Sequence, residues 1–132
     1  MYRFKTKVIS GRGRGRQIGF PTANLAITDL LLAHGVYAVK VRLSHRLYQG
    51  LLHYGPKKTF GEPLSLEAHL ISFNKNIYGR ILEIEVGRKI REVRKFANIQ
   101  ALRKQIKKDL QELNKEELGV RKQKLGIKIR NS

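Results

Sequence analysis

The chain has 132 residues, 41% of them hydrophobic and 29% charged, and this length and composition predict one folded domain rather than a disordered segment. Its 28 basic and 10 acidic residues give a formal net charge of +18, which suits a partner that carries phosphate and by itself favours a nucleic-acid-binding protein over an enzyme. The sequence contains no cysteine, which excludes disulfides and zinc–thiolate sites, and no apolar run approaches the ~20 residues that a membrane-spanning helix needs.

Most of the first ninety residues have the pattern of short β-strands. Residues 2–8 alternate apolar and basic side chains, which is the period of two expected when one face of a strand is buried. This N-terminus has no hydrophobic signal-peptide region, so we expect a soluble protein in the cytoplasm. Further strands are predicted over 36–43, 47–53, 66–73 and 81–86, with turns at Gly-, Pro- and Asn-containing segments such as Gly55-Pro56 and Gly61-Glu62-Pro63. Five or six such strands indicate a mainly β domain, either a small antiparallel barrel or a sandwich.

The periodicity changes at Asn98, which is predicted to cap the N-terminus of a helix. From there apolar residues follow steps of three and four, which places them on one helix face, and Lys and Arg occupy the opposite face. We therefore expect a β-domain closed off by one C-terminal helix, with residues 1–132 forming a single domain and 115–132 a basic extension. The apolar positions are Ile99, Leu102, Ile106, Leu110 and Leu113.

The most unusual segment is Gly-Arg-Gly-Arg-Gly-Arg at residues 11–16. Its glycines let backbone amides approach an anion closely, and its arginines supply positive charge for phosphate oxygens. The segment matches neither a Walker loop nor the G-x-G-x-x-G pattern of dinucleotide-binding proteins. From these residues alone, a phosphate-binding loop and an RNA-contacting loop are equally supported.

Two neutral oxygens follow at Thr22 and Asn24, two residues apart on one side of an extended segment that Pro21 stiffens. Neutral oxygens beside nucleotide phosphates suit Mg²⁺, which keeps several waters and takes few protein ligands. A turn at the start of a strand is the commoner explanation for any single such pair. The pattern therefore leaves a metal site and a structural turn both open.

Glu67 lies within a predicted strand, on the face opposite Leu66, Ala68 and Leu70. In a chain with so few acids, a carboxylate at this place either pairs with an arginine or acts as a base, and composition favours the pairing. Farther along, Phe96 stands among cations that include Arg91 and Arg94.

That last cluster has two interpretations. The aromatic ring could stack on a planar ligand while the guanidinium groups reach the polar edges of that ligand. Alternatively, the segment is a solvated connector in which Phe96 covers the core. The four histidines have no spacing typical of a metal site.

Taken together, these motifs resemble the riboflavin kinase (flavokinase) family, whose module commonly forms the C-terminal part of bifunctional bacterial FAD synthetases. The resemblance runs from about residue 2 to residue 114 and keeps the order and spacing of the family. The matching motifs are Gly15-Arg16-Gln-Ile-Gly-Phe-Pro-Thr-Ala-Asn24, Gly35-Val-Tyr37, Thr59-Phe60, Glu67-Ala-His-Leu70, Tyr78-Gly79, Arg91 with Arg94 and Phe96, and Gln105-Ile-Lys-Lys-Asp109.

The resemblance implies a six-stranded antiparallel Greek-key β-barrel with a C-terminal α-helix. It implies a transferase, riboflavin kinase, that moves phosphate from ATP to the ribityl 5′-hydroxyl of riboflavin and gives FMN and ADP, with Mg²⁺ as cofactor. Glu67 is implied as the catalytic base, and Thr22 and Asn24 as ligands of Mg²⁺. The implied ATP-binding residues are Gly11, Gly13, Gly15, Arg16, Thr22, Leu70, Ser72 and Tyr78, and the implied riboflavin- or FMN-binding residues are Arg91, Arg94 and Phe96.

Two alternatives remain beside the kinase. One is a basic nucleic-acid-binding β-barrel, in which the arginine–glycine segment and the helix face phosphates. The other is a flavin-binding relative without activity, which departures from the family motifs at His53 and Lys58 keep open; a further departure lies at Thr6. The adenylyltransferase half of the bifunctional enzymes has no counterpart here, so FAD formation by this chain alone is not expected. In a longer natural chain, an FMN adenylyltransferase domain would be the partner.

Overall fold

The computed structural model describes residues 2–10, 22–27, 30–71, 73 and 75–113. Within them the chain forms a short 3₁₀ turn at Lys58–Phe60 and a helix, α1, over residues 99–113, together with six β-strands. The strands are β1 (Tyr2–Ile9), β2 (Ala23–Leu25), β3 (Gly35–Leu43), β4 (Arg46–Lys57), β5 (Glu62–Leu70) and β6 (Ile81–Arg91).

The six strands close into an antiparallel barrel in the order β1-β2-β5-β4-β3-β6. Strands β3, β4 and β5 form a meander, and β6 returns to lie beside β3, which is the Greek-key arrangement. The expectation of a six-stranded Greek-key barrel with a C-terminal helix is thus confirmed. No helix in the described ranges is long and apolar enough to cross a membrane.

The turn predicted at Gly55-Pro56 is wrong, because β4 continues through it to Lys57 and pairs Pro56 with Leu64 of β5. The predicted turn at Gly61-Glu62-Pro63 is likewise shorter, since β5 already begins at Glu62. Gly55 has a φ of 145°, and a Cβ added there would lie 3.0 Å from Val93 Cγ2. Glycine at this place therefore lets the segment after β6 pass close over β4.

The barrel interior is filled by the inward-facing half of the strand residues. Leu66, Ala68 and Leu70 of β5 belong to this core, as the alternation around Glu67 predicts. Thr6, a departure from the family pattern, is buried in β1, and its hydroxyl donates to the backbone oxygen of Ala26 at 2.7 Å. This bond satisfies the buried hydroxyl and ties β1 to the residue after β2.

A second core lies outside the barrel, where the apolar face of α1 packs on β3 and β4. Burial of a large aliphatic side chain stabilises a fold by about 1.5–3 kcal/mol, so this contact anchors the helix. The Ala101 backbone N–H donates to Asn98 Oδ1 at 2.8 Å, which confirms Asn98 as the helix cap. The second core contains Val36 and Leu51 of the barrel and all five predicted helix positions, Ile99, Leu102, Ile106, Leu110 and Leu113.

Candidate functional site

A row of side chains crosses the outer face of the barrel beneath α1. The strand registers pair Asn24 with Glu67, Glu67 with His53, His53 with Val36, and Val36 with Arg91. Directly paired residues point to the same face of a sheet, so these five side chains share one face. Glu67 is only 4% exposed, so the row places its carboxyl group in a largely enclosed position.

A cleft opens between this row and α1. The empty space of this cleft, including the part that is open to solvent, is about 580 Å³. Val36 and Leu51 line it from the barrel, and Leu102 and Ile106 line it from the helix. The polar lining comes from both sides and includes Glu67, His69, Arg91, Arg94 and Asp109.

Strand β2 pairs Asn24 with Glu67, and Thr22, which directly precedes β2, lies against His69. Although β2 has three residues, it pairs with β1 on one side and with β5 on the other. Thr22 Oγ1 lies 3.0 Å from Nδ1 of His69, a hydrogen bond whose direction depends on the tautomer of the histidine. One of the neutral oxygens that suit Mg²⁺, that of Asn24, is therefore a neighbour of the one carboxylate that the sequence singles out.

The donor set around Thr22 and Asn24 is chemically suited to Mg²⁺. No group of three or more His, Cys, Asp or Glu side chains is arranged to hold a metal in the described part of the chain. A metal bound here would therefore depend on few protein oxygens and on the phosphates of a nucleotide, which is the usual manner of Mg²⁺. These residues fit the ion that the sequence implies.

The predicted ATP-binding residues are not all brought together. Leu70 is buried in the barrel core, on the face of β5 opposite Glu67. Tyr78 is 66% exposed in a turn, and Gly79 of that turn donates its backbone N–H to Val8 at the end of β1. Neither residue lines the cleft. The predicted positions Gly11, Gly13, Gly15, Arg16 and Ser72 lie outside the described residues.

The predicted flavin-binding residues form one compact cluster. Phe96 is buried, and the guanidinium carbons of Arg91 and Arg94 lie 5.5 Å and 4.7 Å from the centre of its ring. Both distances fall within the range of cation–π attraction. The backbone N–H of Phe96 donates to the hydroxyl of Thr59 at 3.0 Å, which fixes this segment to the 3₁₀ turn. Phe96 is buried while Glu92, Arg94 and Lys95 beside it are exposed, so the structure agrees with both interpretations of this segment.

Two helix residues, at the ends of the motif from Gln105 to Asp109, complete the cluster, although no role was predicted for them. Asp109, at 2% exposure, accepts from Arg91 Nε at 2.9 Å and from Gln105 Nε2 at 2.9 Å. Gln105 Oε1 in turn accepts from Arg94 Nη2 at 2.7 Å. The signal available in the sequence was their spacing of four, which puts both on one side of a helix.

Electrostatics explain why Asp109 can be buried. An isolated carboxylate in this position would cost several kcal/mol of desolvation, and the Arg91 guanidinium offsets that cost with a charge-assisted hydrogen bond. His53 and Lys58, which differ from the family motifs, both line the cleft. These two departures from the family pattern thus lie at the cleft, whereas the third, Thr6, is buried in β1.

A family model and two curated relatives match most of this chain. The family model described as riboflavin kinase (Flavokinase) matches residues 1–116. A bifunctional riboflavin kinase/FMN adenylyltransferase of Bacillus subtilis (strain 168) is 43% identical over 117 residues, covering 84% of this chain and 37% of that protein. The RNA-binding riboflavin kinase RibR of the same organism is 41% identical over 105 residues, covering 78% and 46%. The chain therefore spans less than half the length of these curated relatives.

Two solved structures share the fold. Riboflavin kinase from Trypanosoma brucei superposes with a TM-score of 0.60 at 25% identity, covering 86% of this chain and 78% of that chain. A macrolide-efflux protein from Streptococcus pneumoniae superposes with a TM-score of 0.73 at 35% identity, covering 83% of this chain and 37% of that chain.

Proposed function

The chain belongs to the riboflavin kinase family, and from this premise we propose that it transfers the γ-phosphate of ATP to the 5′-hydroxyl of riboflavin, giving FMN and ADP. The observation that carries the proposal is the pairing of Asn24 with Glu67, which sets a neutral metal ligand beside a buried carboxylate. The cleft that contains Glu67 continues to Arg91, Arg94 and Phe96, so one cavity offers both a base and a surface for a planar ring.

Glu67 is the general base in this proposal. It accepts the proton of the ribityl 5′-hydroxyl as that oxygen forms a bond to the γ-phosphorus. The bond between the γ-phosphorus and the β–γ bridging oxygen breaks, and ADP leaves with the electron pair. Because such reactions depend mainly on positioning and charge, a carboxylate held rigidly on a strand is well suited to the task.

Thr22 and Asn24 would hold Mg²⁺ and so orient the nucleotide. The ion would supply positive charge against the charge of the triphosphate. The 3.0 Å hydrogen bond between Thr22 and His69 restricts the rotation of the Thr22 hydroxyl and so orients its oxygen. Gly11, Gly13, Gly15 and Arg16, together with Leu70, Ser72 and Tyr78, remain the proposed contacts to ATP.

Arg91, Arg94 and Phe96 bind the flavin. The Phe96 ring offers a flat apolar surface, and the two guanidinium groups offer N–H donors to the carbonyl edge of the isoalloxazine ring. Val36, Leu51 and the helix residues Leu102 and Ile106 give this cleft an apolar lining beside the proposed flavin contacts.

The direct test is to incubate the purified protein with riboflavin, ATP and Mg²⁺ and to separate the flavins by chromatography. An FMN peak that disappears in Glu67→Gln supports the kinase and its base together. Riboflavin binding without FMN would instead favour the non-catalytic relative. Absence of both riboflavin binding and turnover would overturn the proposal.

RNA binding is a second candidate function, because a relative at 41% identity is named an RNA-binding riboflavin kinase. The solvent side of α1 carries four exposed cations at successive steps of one, three and one residue, so two pairs of them stand four residues apart. Like charges at a spacing of four destabilise a helix by about 0.2–0.5 kcal/mol per pair, so a polyanionic partner would relieve this repulsion. The four cations are Arg103, Lys104, Lys107 and Lys108.

A salt titration tests RNA binding. Affinity for a single-stranded RNA should fall linearly with the logarithm of salt concentration, and the double variant Lys104→Gln/Lys108→Gln should reduce the slope by roughly 1.4. FMN formation should be unchanged in that variant. Affinity that does not depend on salt, or a slope that the variant leaves intact, would exclude α1 as an RNA surface.

The remaining assignments follow the same premise. Residues 1–132 form one kinase domain in this proposal, with 115–132 as a basic extension. The names of the curated relatives support an FMN adenylyltransferase domain as a partner in a longer natural chain. The proposed compartment is the cytoplasm, where ATP and Mg²⁺ are at hand.

A further inference from the structure

Four polar side chains and one aromatic ring form a closed circuit at the helix side of the cleft. Arg94 donates to Gln105, Gln105 donates to Asp109, and Asp109 accepts from Arg91, with donor–acceptor distances of 2.7, 2.9 and 2.9 Å. The guanidinium groups of both arginines lie over the same Phe96 ring. The circuit thus joins the end of β6, the following segment and α1.

The circuit gives each arginine one defined position. A free arginine side chain has several rotatable bonds, and holding it in one rotamer costs conformational entropy. Here the helix backbone carries both acceptors, Asp109 and Gln105, at a spacing of four, so the entropy of the two guanidinium groups is already lost before a ligand arrives.

The burial of Asp109 in an ion pair is not by itself evidence of added stability. A buried ion pair is often no better than well-packed apolar residues of the same volume. Asp109 lies on the face of α1 that packs against the barrel, where its neighbours Ile106, Leu110 and Leu113 belong to the apolar core. A charged residue on such a face therefore calls for a role beyond packing.

We propose that Gln105 and Asp109 are positioning residues for the flavin. They hold the guanidinium groups of Arg91 and Arg94 against Phe96, so that the three side chains meet a planar ring with carbonyl groups along its edge as one preformed surface. This inference rests on the proposed function for the identity of that ring. By this inference, Gln105 and Asp109 strengthen the binding of riboflavin and do not affect the binding of ATP.

Asp109→Asn and Gln105→Met test the inference, because each keeps approximately the size of the side chain. Asparagine removes the charge that Arg91 contacts, and methionine removes both hydrogen bonds of Gln105. Loss of a hydrogen bond to a charged group weakens an interaction by about 1.5–3 kcal/mol, so the Kd for riboflavin should rise about tenfold or more. The KM for ATP, and kcat at saturating riboflavin, should stay within about twofold.

The readout that does not depend on turnover is titration of riboflavin fluorescence. Matched controls lie on the exposed face of the same helix. Glu112→Gln likewise replaces a carboxylate by an amide, and Gln111→Met makes the same change as Gln105→Met. Both controls should bind riboflavin as the unaltered protein does. Thermal unfolding of all four variants, followed by circular dichroism, shows whether weaker binding comes from misplaced arginine side chains or from an unfolded protein.

The possible outcomes separate a failure of the positioning role from a failure of the proposed kinase function. Unaltered protein that neither binds nor phosphorylates riboflavin would overturn the proposed function. Active unaltered protein with normal riboflavin Kd in Asp109→Asn and Gln105→Met would overturn only the positioning role. Equal loss of riboflavin and ATP affinity, or unfolding of both variants below the assay temperature, would also overturn it by assigning the circuit to stability.

Discussion

Asn24 of β2 and Glu67 of β5 are direct partners in the antiparallel register of the barrel. The two residues lie far apart in the sequence, yet directly paired side chains on adjacent strands have Cβ atoms only about 4.5–5.5 Å apart. A strand of three residues achieves this because β1 and β5 hold it from both sides. The proposed metal ligands and the proposed base therefore share one rigid support.

Glu67→Gln should reduce the rate of FMN formation by about 10²–10⁴, because the amide keeps the size of the carboxylate but accepts no proton. The measurement is the single-turnover rate of FMN formation with riboflavin and ATP both saturating. Glu85→Gln is the matched control, since Glu85 pairs with Arg3 on the barrel surface, where an ion pair contributes about 0–1 kcal/mol. A rate for Glu67→Gln close to that of the control would remove the base assignment.

Thr22→Val should raise the Mg²⁺ concentration needed for half-maximal activity, because valine has the shape of threonine without the oxygen. The substitution also removes the hydrogen bond to His69. Thr22→Ser keeps the hydroxyl and should restore most of the activity. A Mg²⁺ titration of FMN formation for the three proteins provides the measurement, and identical half-saturation in Thr22→Val would exclude Thr22 as a ligand.

Thr59→Val should weaken riboflavin binding by about two- to tenfold. The Thr59 hydroxyl accepts from the backbone N–H of Phe96, and an ordinary hydrogen bond contributes about 0.5–1.5 kcal/mol. Without that bond, the segment that carries Phe96 is held less firmly against the 3₁₀ turn. Fluorescence titration measures the effect, with Thr59→Ser as the variant that keeps the hydroxyl. Equal affinity in the valine and serine variants would contradict this role.

Asn98→Ala should lower the free energy of unfolding by about 0.5–2 kcal/mol, because the Ala101 N–H loses the side-chain oxygen that caps α1. Asn98→Asp supplies an equivalent oxygen and should be nearly as stable as the unaltered protein. Urea denaturation followed by circular dichroism gives both values. If Asn98→Ala unfolds at the same urea concentration as Asn98→Asp, the cap does not contribute to stability.

The prediction of α1 from the sequence was correct because helix formation and capping depend on residues that are close together in the chain. The steps of three and four from Ile99 to Leu113 and the cap at Asn98 depend on neighbours within one turn, so they can be read without knowledge of the fold. The turn predicted at Gly55-Pro56 was wrong for the opposite reason. Strand β4 continues there because β5 pairs with it, and no local pattern reports on that pairing.

The residues of the candidate site could also be singled out from the sequence. Glu67 stood out as a carboxylate in a chain with few acids, Thr22 and Asn24 as two oxygens two residues apart, and Phe96 as an aromatic that follows two arginines. The family resemblance then supplied roles for them, and the family is confirmed by the match over residues 1–116. Alternation around Glu67 also predicted which of its neighbours enter the barrel core.

Only the tertiary structure decided how these residues meet. The order of strands in the barrel sets Asn24 beside Glu67, and the packing of α1 on β3 and β4 sets Gln105 and Asp109 beside Arg94 and Arg91. The physical reason is that a periodic pattern states which face of an element is buried, but not which other element buries it. That choice depends on contacts between residues far apart in the chain, and these form only when the barrel closes.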